Sequence, residues 1–127
     1  MADEITGSCS LSVTTPGGEV YSYQQNFTAD QPENEFVEAN VQAVGTSAEN
    51  LDVGDVSAVG PLIIKNLDAT NFVQIGYDDT GFVALFDLLP GESCLLPRPS
   101  SGVTLQVKAD TGAVNIRRLI TDVTPTP

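Results

Sequence analysis

Acidic side chains are the most plentiful ionisable groups in this chain. Its 127 residues include 17 Asp and Glu, five Lys and Arg, two Cys and no His. Without His, neither a Ser-His-Asp nor a Cys-His arrangement is available, and a zinc site lacks its commonest ligand. The remaining catalytic option is a carboxylate pair of the glycosidase type. The candidate pairs are Asp78 with Asp79 or Asp87, and Asp52 with Asp55.

A sugar-binding site would need aromatic rings as well, and these are scarce. The chain has no Trp, and its three Tyr are Tyr21, Tyr23 and Tyr77. Because neither a catalytic constellation nor an aromatic platform is evident, we expect a protein without enzymatic activity and without a cofactor.

Calcium is the metal that this composition suits best, because hard cations bind several oxygen ligands. Two clusters offer some of them, Asn50 with Asp52 and Asp55, and Asp78 with Asp79 and Thr80. Neither matches the spacing of a calcium-binding loop. Asp-Asp-Thr-Gly is also favourable turn chemistry, so the sequence predicts a turn there and no metal site.

The balance of charge restricts the partners. The formal net charge of −12 disfavours binding to nucleic acids and to anionic membranes, since both require basic residues. No apolar run approaches the roughly 20 residues that a transmembrane helix needs. The first residues lack the basic and apolar regions of a signal peptide, so we expect synthesis in a cytoplasm.

The stretch 61–97 is the most legible structural unit. Four apolar runs, at 62–65, 72–77, 82–88 and 93–96, are separated by clusters of Asn, Asp, Gly and Pro. Short runs of Val, Ile and Phe between such clusters predict β-strands joined by turns. We expect the other segments of the chain to pack around this meander.

Alternating apolar and polar residues predict further strands on both sides of the meander. These are 5–15 and 19–29 as a hairpin, in which 5–15 should have one buried and one exposed face, then 36–45, a weaker one within 46–60, 103–109 and 114–123. In 36–45, Val37, Ala39, Val41 and Ala43 lie on one side and Glu38, Asn40 and Gln42 on the other. A helix over 35–44 competes with this strand, but the strict alternation and the flanking Gly45 favour the strand. We therefore predict an all-β protein: one antiparallel, jelly-roll-like β-sandwich domain spanning 1–127, with eight or nine strands. Residues 1–4 and 123–127 should be flexible or extended termini.

Cys9 and Cys94 both lie in apolar strand patterns, and we expect two buried thiols in a reducing compartment. A disulfide would require neighbouring strands, which the sequence does not reveal.

Two features point to contacts with other chains. The run 82–88 is apolar on both faces. Val83 and Leu85 lie on one face, and the other face carries Phe82, Ala84, Phe86 and Leu88. Such a strand lies either between two layers or against another chain.

Arg117 and Arg118 are the only adjacent basic residues, and on a strand they point to opposite faces. They are either solvated or form ion pairs with a neighbouring subunit. Val83, Leu85, Arg117 and Arg118 are therefore the candidate interface residues.

The second half of the chain resembles small structural proteins of phage particles. The resemblance covers about residues 60–122: a strand ending in Ile-Lys-Asn-Leu-Asp, then Asn-Phe-Val-Gln-Ile-Gly, then Leu-Pro-Gly-Glu leading into an apolar strand. It implies a jelly-roll-like component of the virion, such as a capsid cement or decoration protein. Such proteins commonly form homotrimers on the capsid surface and clamp neighbouring major capsid subunits.

Two alternatives remain at this point. One is a receptor- or carbohydrate-binding β-sandwich in a tail or fibre, since related domains occur there. The other is a calcium-dependent adhesion domain.

Overall fold

The computed structural model of the chain describes residues 4–31 and 38–123, and these form an all-β protein. Its ten strands are β1 (Ile5–Thr14), β2 (Val20–Ala29), β3 (Glu38–Val44), β4 (Glu49–Asn50), β5 (Val59–Asn66), β6 (Val73–Asp78), β7 (Phe82–Leu88), β8 (Ser93–Leu96), β9 (Leu105–Ala109) and β10 (Val114–Asp122). Ten strands are present where eight or nine were expected. The weak strand expected within 46–60 is reduced to the two-residue β4, which pairs with Val107 and Gln106. No helix long and apolar enough to cross a membrane occurs among the described residues.

The strands from β3 to β10 pair in a nested order around one turn. β6 pairs with β7, β5 with β8, β4 with β9, and β3 with β10, all antiparallel. Further pairing of β10 with β5 and of β6 with β9 gives two four-stranded sheets. Sheet I has the order β3-β10-β5-β8, and sheet II has the order β4-β9-β6-β7. The predicted meander thus supplies the four strands nearest the centre of the nest.

The innermost turn joins β6 to β7 and has the chemistry that the sequence predicted. The backbone amide of Gly81 donates to Asp78 Oδ1 over 3.0 Å. Gly81 has a φ of 136°, in a region that glycine enters readily and other residues rarely adopt. The Asp-Asp-Thr-Gly sequence therefore closes a hairpin.

The inner faces of the two sheets form one apolar core, which confirms the predicted antiparallel β-sandwich. Sheet I contributes Ile64, Ile116 and Ile120, and sheet II contributes Val73 and Val107 to the same cluster. Each of these five side chains is fully buried. Along β10 buried and exposed residues alternate almost without interruption, as the period-two pattern of 114–123 predicted.

The N-terminal hairpin does not join the sandwich. β1 and β2 pair over ten residue pairs, from Ile5 with Ala29 to Thr14 with Val20, and form a separate two-stranded sheet. We call this hairpin, Ile5–Ala29, the arm. The prediction that one of its faces is buried is wrong for most of its length, since only Ile5 is buried and nearly every residue beyond Gly7 is exposed.

The predicted ends of the domain can be compared with the structure at two residues. Glu4 accepts a hydrogen bond from the backbone amide of Gln31 over 3.1 Å. Val123 is buried and donates from its amide to Ala58 O, so it belongs to the sandwich and not to a flexible terminus. Residues 1–3, 124–127 and 36–37 of the predicted third strand lie outside the described residues.

The side chain of Asn66 joins three segments of the meander. It is fully buried, and its Nδ2 donates to the carbonyls of Asn71, at 3.0 Å, and Leu88, at 2.9 Å. Its Oδ1 accepts from the amide of Asp68 at 2.8 Å. The end of β5, the loop that follows it and the end of β7 are therefore held by one amide group, whose partners water cannot replace inside the core.

Replacement of Asn66 by Ala is expected to lower the free energy of unfolding by about 2–3 kcal/mol, because it leaves buried backbone groups without partners. Urea denaturation measures this loss. The matched control is Asn115→Ala, at an exposed position of β10, which should change stability by less than about 0.5 kcal/mol. Equal effects of the two substitutions would contradict the role assigned to Asn66.

The loop between β5 and β6 is organised by the carboxylate of Asp68. Its Oδ2 accepts hydrogen bonds from the amides of Asn71, at 2.6 Å, and Thr70, at 3.0 Å. These two bonds, the first more than the second, lower the pKa of Asp68 from its ordinary value of 3.8. They favour the ionised carboxylate and, through it, the folded loop.

The Asp68 contribution to stability should depend on pH. Because its pKa is lowered by folding, the contribution is complete above pH 3.8 and is lost as the pH falls through the lowered value. Asp68→Asn should therefore be less stable than wild type at neutral pH, with a deficit that shrinks in acid. Unfolding curves between neutral and strongly acidic pH measure it. The control Asp79→Asn removes the same charge from an exposed turn, and a deficit with the same pH dependence there would refute this interpretation.

Candidate interaction surfaces

The two faces of the arm differ in chemistry. The strand register places Leu11 opposite Tyr23 and Val13 opposite Tyr21 on one face, which we call the apolar face of the arm. Ser10 lies opposite Gln24 on the other face, which consists almost entirely of Ser, Thr, Asn and Gln. The arm thus has the sidedness of a strand pair that packs on something with one face only.

The apolar face is covered only at its base. Ile5 is 8% exposed, and Gly7 and Phe27 are half-buried near the body of the protein. Further out on the same face, Leu11 is 72% exposed, Tyr23 68% and Tyr21 60%. Large apolar side chains adjacent to one another and open to water mark a surface that contacts another molecule.

A second surface is the outward side of sheet I, which we call the outer face. The register assigns it the following residues: Ala39, Val41 and Ala43 from β3, Asn115, Arg117, Leu119 and Thr121 from β10, Pro61, Ile63 and Lys65 from β5, and Ser93 and Leu95 from β8. Val41, Ile63 and Leu119 are each 40–44% exposed. These twelve residues include two cations and no carboxylate, in a chain that has 17 acids.

The structure shows which side of β3 faces the core. Val41 lies opposite the exposed Arg117 and faces outward. Val44 is fully buried on the opposite, inward side, where Gln42 bonds to the chain near β4. Its Nε2 donates to Asn50 O at 3.1 Å, and its Oε1 accepts from the amide of Asp52 at 2.9 Å.

Of the two predicted interface arginines, only Arg117 lies at the surface. Arg118 is 2% exposed, and its guanidinium donates to the backbone carbonyl of Asp52. The two side chains point to opposite faces of sheet I, as predicted, but the inward one is enclosed by the sandwich. The subunit contact expected for Arg118 is therefore not available to it, and its bond joins β10 to the loop after β4.

Val83 and Leu85 lie on β7, at an edge of sheet II, but they do not form one patch. The pairing of β6 and β7 shifts between Ile75 and Gly76, so that Leu85 is an extra residue in a β-bulge. Beyond the bulge, Val83 lies opposite Tyr77 and is half-buried, whereas Leu85 is 54% exposed. Of this pair, Leu85 is the one that remains fully available for a contact.

The two cysteines are both free thiols, in different surroundings. Cys94 is half-buried against the core, and burial raises the pKa of its thiol, while a backbone hydrogen bond from Ile64 acts in the opposite direction. Cys9 is exposed on the apolar face of the arm, so the expectation of two buried thiols is wrong for it.

Asp78 and Asp87, one of the carboxylate pairs considered for catalysis, lie far apart. Asp87 lies opposite Gln74, whereas Asp78 follows Gln74 by four residues, which places the two acids about 13 Å apart along the sheet. That spacing exceeds the roughly 5–9.5 Å of glycosidase pairs. Asp52 Oδ1 accepts from the amide of Gly54 at 2.9 Å, as in a turn. Within 4–31 and 38–123, no group of three or more acids and cysteines has an arrangement that could hold a metal ion.

One open cleft lies at an end of the sandwich, lined by the chain near Asn50 and Leu51, by Ser57–Val59 and by 98–105. Arg98 is the only charged residue among those that line it, and there is no carboxylate to act as an acid or base.

Comparison of the chain with protein-family models, with curated proteins and with solved structures finds no match.

Proposed function

We propose that this protein is a structural component of a phage particle: a capsid cement protein that binds the outer shell and bridges major capsid subunits. It would act as a homotrimer on the capsid surface after synthesis in the host cytoplasm, without a cofactor and without nucleic acid or membrane as a partner. The resemblance of residues 60–122 to small virion proteins suggests this role.

The strand order of the sandwich supports the proposal. Eight strands in two sheets, paired in nested order around the β6–β7 turn, match the arrangement of a jelly roll. We propose that the sandwich is a jelly roll, an architecture used by viral capsid domains and by lectins. Since the same architecture serves many functions, the surfaces of this chain must carry the rest of the argument.

The observation that carries the proposal is the exposed apolar surface on separate parts of the chain. The arm presents Leu11 and Tyr23, the outer face presents Ile63 and Leu119, and the bulge presents Leu85. A protein that bridges several neighbours needs several such surfaces, and it functions by the area it buries.

Bridging gives a physical route to shell stability. Packaged DNA pushes outward on a shell, and a subunit bound across two capsomers must be separated from one of them before the shell opens. Binding to the assembled shell and not to free subunits stabilises the shell by linkage.

The number of copies per particle tests the proposal. Quantitative mass spectrometry of purified particles should find hundreds of copies. Particles that lack the protein should be less resistant than complete particles to heat and to low salt concentration. Adding back purified protein should restore their resistance. A few copies confined to the tail would overturn the cement role and favour a receptor- or carbohydrate-binding module.

A further inference from the structure

We propose that the arm of one copy docks, through its apolar face, on the outer face of sheet I of a second copy. The proposal concerns contacts between copies of this chain in solution. It does not depend on the proposed role in a phage particle.

The arm needs a partner surface. An isolated two-stranded hairpin is at best marginally stable in water, because it has no second layer against which to bury side chains. The arm is such a hairpin beyond its base, where Leu11, Tyr21 and Tyr23 are all at least 60% exposed. These side chains form a continuous apolar patch through the cross-strand pairs Leu11–Tyr23 and Val13–Tyr21.

The outer face of sheet I has the size and the chemistry to receive the arm. Four strands spaced about 4.8 Å apart give a face about 15–20 Å wide, which accommodates a two-stranded ribbon. Val41, Ile63 and Leu119 supply apolar contacts across three adjacent strands of that face.

The two surfaces are complementary in charge. The arm contains one carboxylate, Glu19 near its tip, and no Lys or Arg, and Glu4 and Asp30 flank its base. On the outer face, Lys65 and Arg117 lie directly opposite each other on neighbouring strands, with no carboxylate on that face. Like charges in that arrangement repel each other, and an acidic partner relieves the repulsion. An arm of the same chain fits this requirement.

The arm already begins beside this face. At its base, Gly7 and Phe27 border a cleft whose other side includes Ile63 and Leu119 of the outer face. Its strands of ten residues extend about 33 Å, so the tip projects well beyond its own base. Leu11 and Tyr23 are open to water in the single chain, and the outer face of a second copy offers a surface that would cover them.

The first test is the mass of the purified full-length chain over a range of concentrations, by analytical ultracentrifugation. Wild type should form a closed oligomer, a multiple of the 13.4 kDa chain. Leu11→Ser with Tyr23→Ser should raise its dissociation constant at least tenfold. The matched control, Ser10→Ala with Gln24→Ala, changes the neighbouring cross-strand pair on the polar face and should leave the constant unchanged. All four positions are exposed, so the sandwich is expected to fold in each variant.

Charge on the outer face gives an independent variant. Arg117→Glu should also raise the dissociation constant, whereas Lys108→Glu, the same change of charge on sheet II, should not. A wild-type chain that stays monomeric at every concentration would overturn the proposal. So would equal dissociation constants for the apolar-face variant and its control.

Cross-linking identifies the surfaces in contact. In a Cys94→Ala background, a flexible bismaleimide should join Cys9 of one copy to a V41C thiol of another. Mixing isotopically labelled and unlabelled chains allows mass spectrometry to recognise links between copies. Moving the arm thiol to the polar face, with Cys9→Ser and Ser10→Cys, should sharply reduce the yield. Links only within single chains would show that the arm folds back on its own sheet, which would refute docking on a second copy.

Discussion

A sheet in a two-layer sandwich can bury only one of its faces, and this constraint governs how the chain uses its apolar residues. Sheets I and II meet through Ile64, Ile116, Val73 and their neighbours, and that contact holds the domain together. Within residues 4–31 and 38–123, no layer covers the outer face of sheet I or the arm beyond its base. We therefore propose that their exposed Val, Ile, Leu and Tyr side chains are contact surfaces between molecules.

Local patterns made most of the strands predictable. Alternation and turn residues located the hairpin, the meander and β10, because both signals depend on residues a few positions apart. The turn at Asp78–Gly81 followed from the same chemistry. The nested pairing of strands far apart in sequence joins residues that no local pattern relates. The number of strands therefore favoured a jelly-roll-like sandwich, but the sequence did not identify which strands pair.

The candidate surfaces were harder to predict for definite physical reasons. Alternation divides β3 into two sets of residues without showing which set faces the core. The inward side carries the buried Val44 and also Gln42, which binds the backbone near β4 in a contact across the fold. The bulge at Leu85 reverses alternation along β7. The separateness of the arm had no signal in its charge, because residues 1–64 all lack Lys and Arg.

Amide hydrogen exchange, measured over a range of protein concentrations, tests most directly whether the arm needs a second molecule. A free two-stranded hairpin opens readily, and binding to a partner protects its amides by mass action. Protection in Ile5–Thr14 and Val20–Ala29 should therefore rise with concentration, while protection in the core strand Val114–Asp122 should stay constant. Arm protection that does not vary with concentration would contradict this account of the structure.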